Sequence, residues 1–323
     1  MSSPAVRHLH REGRLTPVRI PYSELPDRLA RDLRPALAVI AGRPAAGGFR
    51  LGLEAGYAVL AARLAGEVVI EADPSLPEVP DAPLIRRPAR IVGAASAAPD
   101  APAIRSEAID RAIGAAMAAL VPAGATIQCG PGAIGDAAVG ALEVPVAVHS
   151  GLISDAIAHL ARRGLLRGRA TAAYLYGGAP VRELAASGAV ALRGIEETHD
   201  AARLAALRRL HALNSAFTVG LDGSVNVERA GGLQMAGIGG HRDFCAAAAG
   251  SPGGLSIVGL RSTGPGGSRI VPAVEVVSTP GRTVDVVVTE HGVARLRGLS
   301  PEGRRRALIE IADPGHREWL ERA

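Results

Sequence analysis

Lysine is absent from the 323 residues, so all 36 basic side chains other than histidine are arginine. Arginine keeps its charge across the physiological range and forks onto phosphate through two parallel hydrogen bonds. The net charge of +5 therefore suits an anionic ligand. Aromatic residues are scarce, with one Trp, four Tyr and three Phe. That scarcity excludes a base-stacking platform for single-stranded nucleic acid. The two cysteines, Cys129 and Cys245, cannot form a disulfide framework. The histidines follow neither H-x-x-x-H nor H-E-x-x-H spacing, so no metal is expected. Long apolar runs are missing too. Ala108 to Val121 is interrupted by Asp110 and Arg111 and falls short of a bilayer span, so no membrane role is expected. With no leader pattern visible, a cytoplasmic location is the expectation. No P-loop and no G-x-S-x-G elbow occurs.

The pattern that is present is that of a globular chain, 48% hydrophobic and 21% charged, rich in Gly and Pro without a collagen period. Residues 1–17 read as a loose terminus carrying Arg7, His8 and His10. Strands are expected at 36–41 and 67–71, a turn at 43–48, a helix over 53–64, and a proline-rich loop over 73–102 around a short strand at 90–92. From Ser106 onward helices and strands alternate: helix 106–121, strand 126–129, helix 136–142, strand 144–149, helix 154–163, strand 171–176, helix 181–186, strand 189–192, helix 199–210. Such alternation with short Gly-rich links predicts a mainly parallel sheet covered by helices. Asp222-Gly223 between 214–220 and 224–227 predicts a hairpin. Strands at 255–260, 268–271 and 284–289 follow, and two helices, each with Pro in its first turn, close the chain. The arginine pairs 162–163 and 208–209 and the triplet 304–306 lie in helically periodic stretches and read as solvated helix faces, with no nucleic-acid motif beside them.

Gly130-Pro131-Gly132-Ala133-Ile134-Gly135 stands between a strand and a helix, with Asp155 about twenty residues on. It can be read as a dinucleotide-binding G-x-G-x-x-G, as a tight turn, or as a loop touching another ligand's phosphate or acyl end. Against the first, Pro131 removes an N–H from the cradle and Asp155 falls at a helix start. Glu290 and His291 end an apolar strand, a place where α/β sheets form sites.

From residue 214 to the C-terminus a series of strings accumulates: Asn214-Ser215-Ala216, Asp222-Gly223-Ser224-Val225-Asn226, Gly237-Ile238-Gly239-Gly240-His241-Arg242-Asp243-Phe244, Ser251-Pro252-Gly253-Gly254, and Asp285 to Gly298 (DVVVTEHGVARLRG). Upstream stand Ile127 to Ile134 (IQCGPGAI) and His149-Ser150. In this order they resemble the acetyl-CoA hydrolase/transferase family, which includes the 4-hydroxybutyrate CoA-transferases. The resemblance implies two CoA-transferase-type open α/β domains with mainly parallel sheets. They are expected at 1–170, a reduced N-terminal domain, and at 171–323. It implies coenzyme A or an acyl-CoA as substrate, without a metal. Processing of the thioester toward a carboxylate or water is expected; the alternative is an impaired relative that binds acyl-CoA or needs a partner. Besides acyl-CoA and a small carboxylate, the expected partners are other copies of the chain, or a subunit supplying an N-terminal half.

Two departures stand out against that pattern. Thr218 occupies the place of the family's nucleophilic glutamate, and Gly220 that of the following aspartate. A threonine forms an ester, far less activated than the anhydride a carboxylate would form. Glu228, following a predicted hairpin, is a candidate replacement. At 151 a glycine stands where the family's H-[ST]-E-M carries glutamate. The candidate catalytic residues are thus Thr218, Glu228 and Gly239, the last as oxyanion support. The candidate CoA-binding residues are Gly130, Gly132, Gly237, Gly239, Gly240, Arg242 and Arg269, the arginines for phosphate by their fork geometry.

Overall fold

The computed structural model describes residues 8–9, 12–86 and 88–323; residues 1–7, 10 and 11, within the expected loose terminus, lie outside the described residues. Along the chain the strands are β1 (Leu37–Ala45), β2 (Gly48–Arg50), β3 (Glu67–Ala72), β4 (Leu84–Ile85), β5 (Arg90–Gly93), β6 (Thr126–Cys129), β7 (Ala147–Val148), β8 (Leu152–Ser154), β9 (Ala170–Ala172), β10 (Tyr174–Tyr176), β11 (Val190–Leu192), β12 (Leu210–Ser215), β13 (Thr218–Gly220) and β14 (Val225–Asn226). They continue as β15 (Arg229–Ala230), β16 (Leu233–Gln234), β17 (Leu255–Gly259), β18 (Thr263–Gly264), β19 (Gly267–Ser268), β20 (Ile270–Val271), β21 (Val286–Thr289) and β22 (Gly292–Arg295).

The first sheet has the order β4-β2-β1-β3-β5, with β1, β3 and β5 parallel. Burial alternates along β1: Ala38 and Ile40 face the core, whereas Leu37 and Val39 face out. That period-two pattern belongs to a sheet packed on one face. The second sheet, β22-β21-β17-β12-β6-β7, is parallel except for β22. Its central strands are buried almost without interruption, as Val286-Val287-Val288-Thr289 is, because both faces are covered. Ile257, Val286 and Val288 join the large core that holds Ile40, Ile127 and Ile153; Val258 and Val287 join a second core with Val219, Leu260 and Leu308. The sheet is the wall shared by both cores. It draws β6 and β7 from before residue 170 and four strands from after it, so this sheet spans both of the stretches 1–170 and 171–323.

The open α/β architecture with mainly parallel sheets agrees with the expectation. Local stretches differ from it: the strands expected over 214–220 and 268–271 are each split in two, and two further stretches differ more. The helix expected over 199–210 spans only Ala201–Ala206, capped by the Asp200 carboxylate accepting the Arg203 N–H at 2.8 Å. Arg209 takes a left-handed φ of 54° and turns the chain into β12 at Leu210. Arg208-Arg209 is thus a turn, not a helix face, and the strand begins four residues before Asn214. The run expected as one strand over 171–176 is split, with Ala170–Ala172 pairing β11 and Tyr174–Tyr176 pairing β8. The Asp222-Gly223 hairpin forms, with Gly223 at φ 84° and the Gly220 N–H donating to the Ser224 carbonyl. No helix among the described residues is long and apolar enough to cross a membrane.

Candidate active site

The parallel strands of the second sheet end on one edge, where open α/β sheets place ligands. β6 runs into Gly130–Gly135 and β12 into Asn214-Ser215-Ala216. A buried amide pair holds the two together: Gln128 Nε2 donates to Asn214 Oδ1 at 3.1 Å and Asn214 Nδ2 to Gln128 Oε1 at 3.0 Å. Gly130 presses against this pair, and a Cβ there would lie 2.6 Å from Asn214 Oδ1. Gly132, at φ 123°, precedes the helix Ala133–Gly140 beside Ser215. The expected ribose acid is otherwise engaged: the Asp155 carboxylate accepts the N–H groups of Gly178 and Val181 at 3.0 Å each, starting the helix Ala179–Ala186. This removes the acid a dinucleotide reading needs.

Thr218 opens β13 opposite Asn226. The buried Asn226 amide organises the surroundings. Its Nδ2 donates to Thr218 Oγ1 at 3.2 Å and to the Arg229 carbonyl at 2.8 Å, and its Oδ1 accepts the N–H groups of Glu228 and Arg229 at 3.0 Å. No carboxylate or imidazole hydrogen-bonds Thr218 among the described residues, so its hydroxyl has no general base in contact. Arg269 lies on the neighbouring strand side, its carbonyl accepting the Val219 N–H at 2.9 Å. Its guanidinium is half-buried, pairs with no group among the described residues, and sits below the usual arginine range because of burial and of nearby Arg261. Arg261, by contrast, is spent on Asp110 at 2.8 and 2.7 Å. Glu290 is likewise taken, accepting from the Ser262 N–H and hydroxyl.

Glu228 is 1% exposed, and its carboxylate is saturated. It accepts Arg19 Nε at 2.9 Å and Nη2 at 2.8 Å, and the Ser278 hydroxyl at 2.8 Å. This bond holds the Arg19 guanidinium above its usual range. Glu228 is thus the buried half of an ion pair whose Arg19 side is half exposed, two residues from the Asn226 that holds Thr218. Its carbonyl accepts the N–H groups of Met235 and Ala236 and anchors the following loop.

That loop carries Gly237, Gly239 and Gly240, which serve different purposes. A Cβ at Gly237 or Gly239 would meet nothing within 4 Å. Gly239 takes a left-handed φ of 53°, and its carbonyl accepts the Tyr22 N–H. Gly240 is a packing glycine: a Cβ there would lie 2.3 Å from His199 Nε2. The helix His241–Gly250 begins directly after it, so the positive end of ten aligned peptide units lies at the loop. Arg242 in its first turn is exposed, and Asp243 accepts Ser23 N–H and Oγ–H. Gly237, Gly239 and Glu228 line one cavity of about 290 Å³ together with the 15–20 segment and Leu25, Leu29 and Leu33. Thr218, Gly130, Gly132, Arg242 and Arg269 are outside its lining. A larger hollow of about 760 Å³, between the helices Ala108–Ala118, Ala133–Gly140 and Asp155–Arg162, contains none of the expected site residues.

Reading the sequence did not single out Arg19, Asn226, His199 or His241. His199 is buried edge-on between Tyr22 and Phe244, 5.0 Å from each ring, and burial pushes it down to about 3. Thr198 Oγ1 lies 2.8 Å from His199 Nδ1 and 3.2 Å from the Gly194 carbonyl oxygen. Gly151 makes room for that ring as well, since a Cβ there would lie 3.0 Å from Nε2. His241 Nδ1 lies 2.7 Å from Thr279 Oγ1, and burial pushes it down to about 4. Among the described residues no three His, Cys, Asp or Glu side chains gather to hold a metal.

The family model of the acetyl-CoA hydrolase/transferase C-terminal domain matches residues 181–323. The 4-hydroxybutyrate coenzyme A transferase of Clostridium kluyveri is 34% identical over 228 residues, 66% of this chain and 53% of that protein. Over residues 181–323 this chain belongs to the acetyl-CoA hydrolase/transferase family. It spans about half the length of the first curated relatives it matches. Among solved members of the fold, RipA from Yersinia pestis superposes with a TM-score of 0.88 at 27% identity, covering 98% of this chain and 77% of RipA. The 4-hydroxybutyrate CoA-transferase of Porphyromonas gingivalis superposes with a TM-score of 0.82 at 26% identity, covering 100% and 83% of the two chains.

Proposed function

We propose that this protein processes acyl-coenzyme A thioesters, passing the acyl group to a small carboxylate or to water. The observation that carries this reading is the cavity that Gly237, Gly239 and Glu228 line together beside the start of a helix. A thioester carbonyl placed against such a loop has backbone N–H groups and the helix's positive end close to the oxygen on which charge develops. Arg269, half-buried and without a partner among the described residues, is the cation we assign to a CoA phosphate, with exposed Arg242 as a second. Gly130 and Gly132, at the adjoining strand end beside Ser215, would form the wall along which the pantetheine arm runs.

Thr218 is not a ready nucleophile, because its hydroxyl touches an amide donor and no base. Glu228 is the one carboxylate in the cavity wall, and it reacts only if Arg19 yields it. Attack by its oxygen on the thioester carbonyl would break the C–S bond, release CoA thiolate and leave an acyl anhydride for a second carboxylate or water to open. We expect the chain to work as a homo-oligomer.

The test is to incubate purified protein with acetyl-, succinyl- and butyryl-CoA, with and without acetate, and to separate the thioesters by chromatography. Acyl exchange dependent on acetate identifies a transferase, and release of free CoA without it a hydrolase. Thioesters left intact in all mixtures would overturn the reading.

A further inference from the structure

The helix Leu25–Arg31 has a leucine face with no buried residue, although Leu25 and Leu29 are one turn apart on one side. Those leucines, with Leu33 just beyond the helix, line the cavity opposite Gly237 and Gly239, and Val18 and Ile238 complete the apolar wall. At about 290 Å³ the space lies at the lower end of ligand pockets, enough for a small group and too little for a whole CoA. The charged groups in its wall, Arg19 and Glu228, already neutralise one another. A second carboxylate entering here would stand beside the buried Glu228 carboxylate, with the Arg19 guanidinium already bound to it.

We infer that this leucine-lined chamber takes the acyl chain, and that the substrate is an aliphatic monoacyl thioester longer than acetyl, not a dicarboxylic one. The assignment rests on the thioester reading. Gly237 stands in the chamber lining with open space where a Cβ would be, so a side chain there has room at the chamber's edge.

The experiment is calorimetric titration of the intact chain with CoA, acetyl-, butyryl-, hexanoyl- and succinyl-CoA, which needs no turnover. Affinity should rise about fourfold per added methylene, so about fifteenfold from acetyl to butyryl, with succinyl-CoA no tighter than acetyl-CoA. Gly237→Val should abolish the gain from acetyl to butyryl. Leu29→Gln, at a partly exposed helix position, should flatten the same slope. If CoA and all its esters bind with one affinity, or succinyl-CoA matches butyryl-CoA, the chamber assignment is overturned while the thioester reading stands. If neither CoA nor any ester binds, the thioester reading fails and the chamber assignment with it.

Discussion

Three neighbouring glycines in one motif are chemically identical, yet their surroundings separate them. Gly240 has the His199 imidazole where its side chain would be, and that ring is fixed between Tyr22 and Phe244. Adding one methyl here forces either the ring or the helix start to move. Gly240→Ala should therefore cost about 1–3 kcal/mol, seen as a lowered Tm, whereas Gly237→Ala should melt like the wild type because nothing lies within 4 Å. Equal melting of the two variants would mean that the His199 contact does not exist. The same contrast applies to the carboxylates. Glu228 lies in the cavity yet is bound on both oxygens, and only the partner of each residue, not its identity, shows this.

At the scale of elements, single side chains decide where helices begin and strands start. Asp155 is the clearest case. It occupies the first turn of one helix, and its carboxylate satisfies two N–H groups at the start of the next, Ala179–Ala186. Those donors otherwise have no intrahelical partner. Asp155→Ala should cost about 1 kcal/mol and be visible as a lower denaturant midpoint. Asp155→Asn, which keeps one acceptor oxygen, should cost less; a full loss with Asn equal to Ala would point to charge, not capping. The short β12 shows the reverse situation. Its helical periodicity continues past Ala206, but the left-handed turn at Arg209 and burial between β6 and β17 convert Leu210–Ser215 to strand. The tertiary environment overrides local preference there.

For the whole molecule, imidazoles shielded from water couple stability to pH. In the unfolded chain His199 and His241 titrate near 6.5; in the fold burial holds them near 3 and 4. Below pH 6.5 the unfolded state binds protons that the folded state refuses, so stability falls as pH falls through that window. His149 and His211 are displaced in the same direction by burial. Each buried imidazole contributes up to about 1.4 kcal/mol of loss per pH unit. The Tm should thus decline from pH 7 to pH 4.5, and His199→Gln, which cannot protonate, should decline less steeply. A variant with the wild-type slope would remove His199 from the account.

Composition and motif order alone determined the class of this protein. Alternating apolar runs and short glycine links lead to a covered parallel sheet because only that arrangement buries them. The ordered strings from Asn214 to Gly298 carried the family, because they name turn and close-approach glycines such as Gly240 and Gly254 together with acids and amides at strand ends. The hairpin at Asp222-Gly223 was legible for the same reason: its turn chemistry is local. What the tertiary structure alone decided is which of these residues meet. Arg19 reaches Glu228 from 209 residues away, Gly151 and Gly240 make space for one histidine, and β6 and β7 join a sheet built largely from the other end of the chain. Such contacts depend on shape and distance between segments, and neither periodicity nor residue type encodes the partner of a charge.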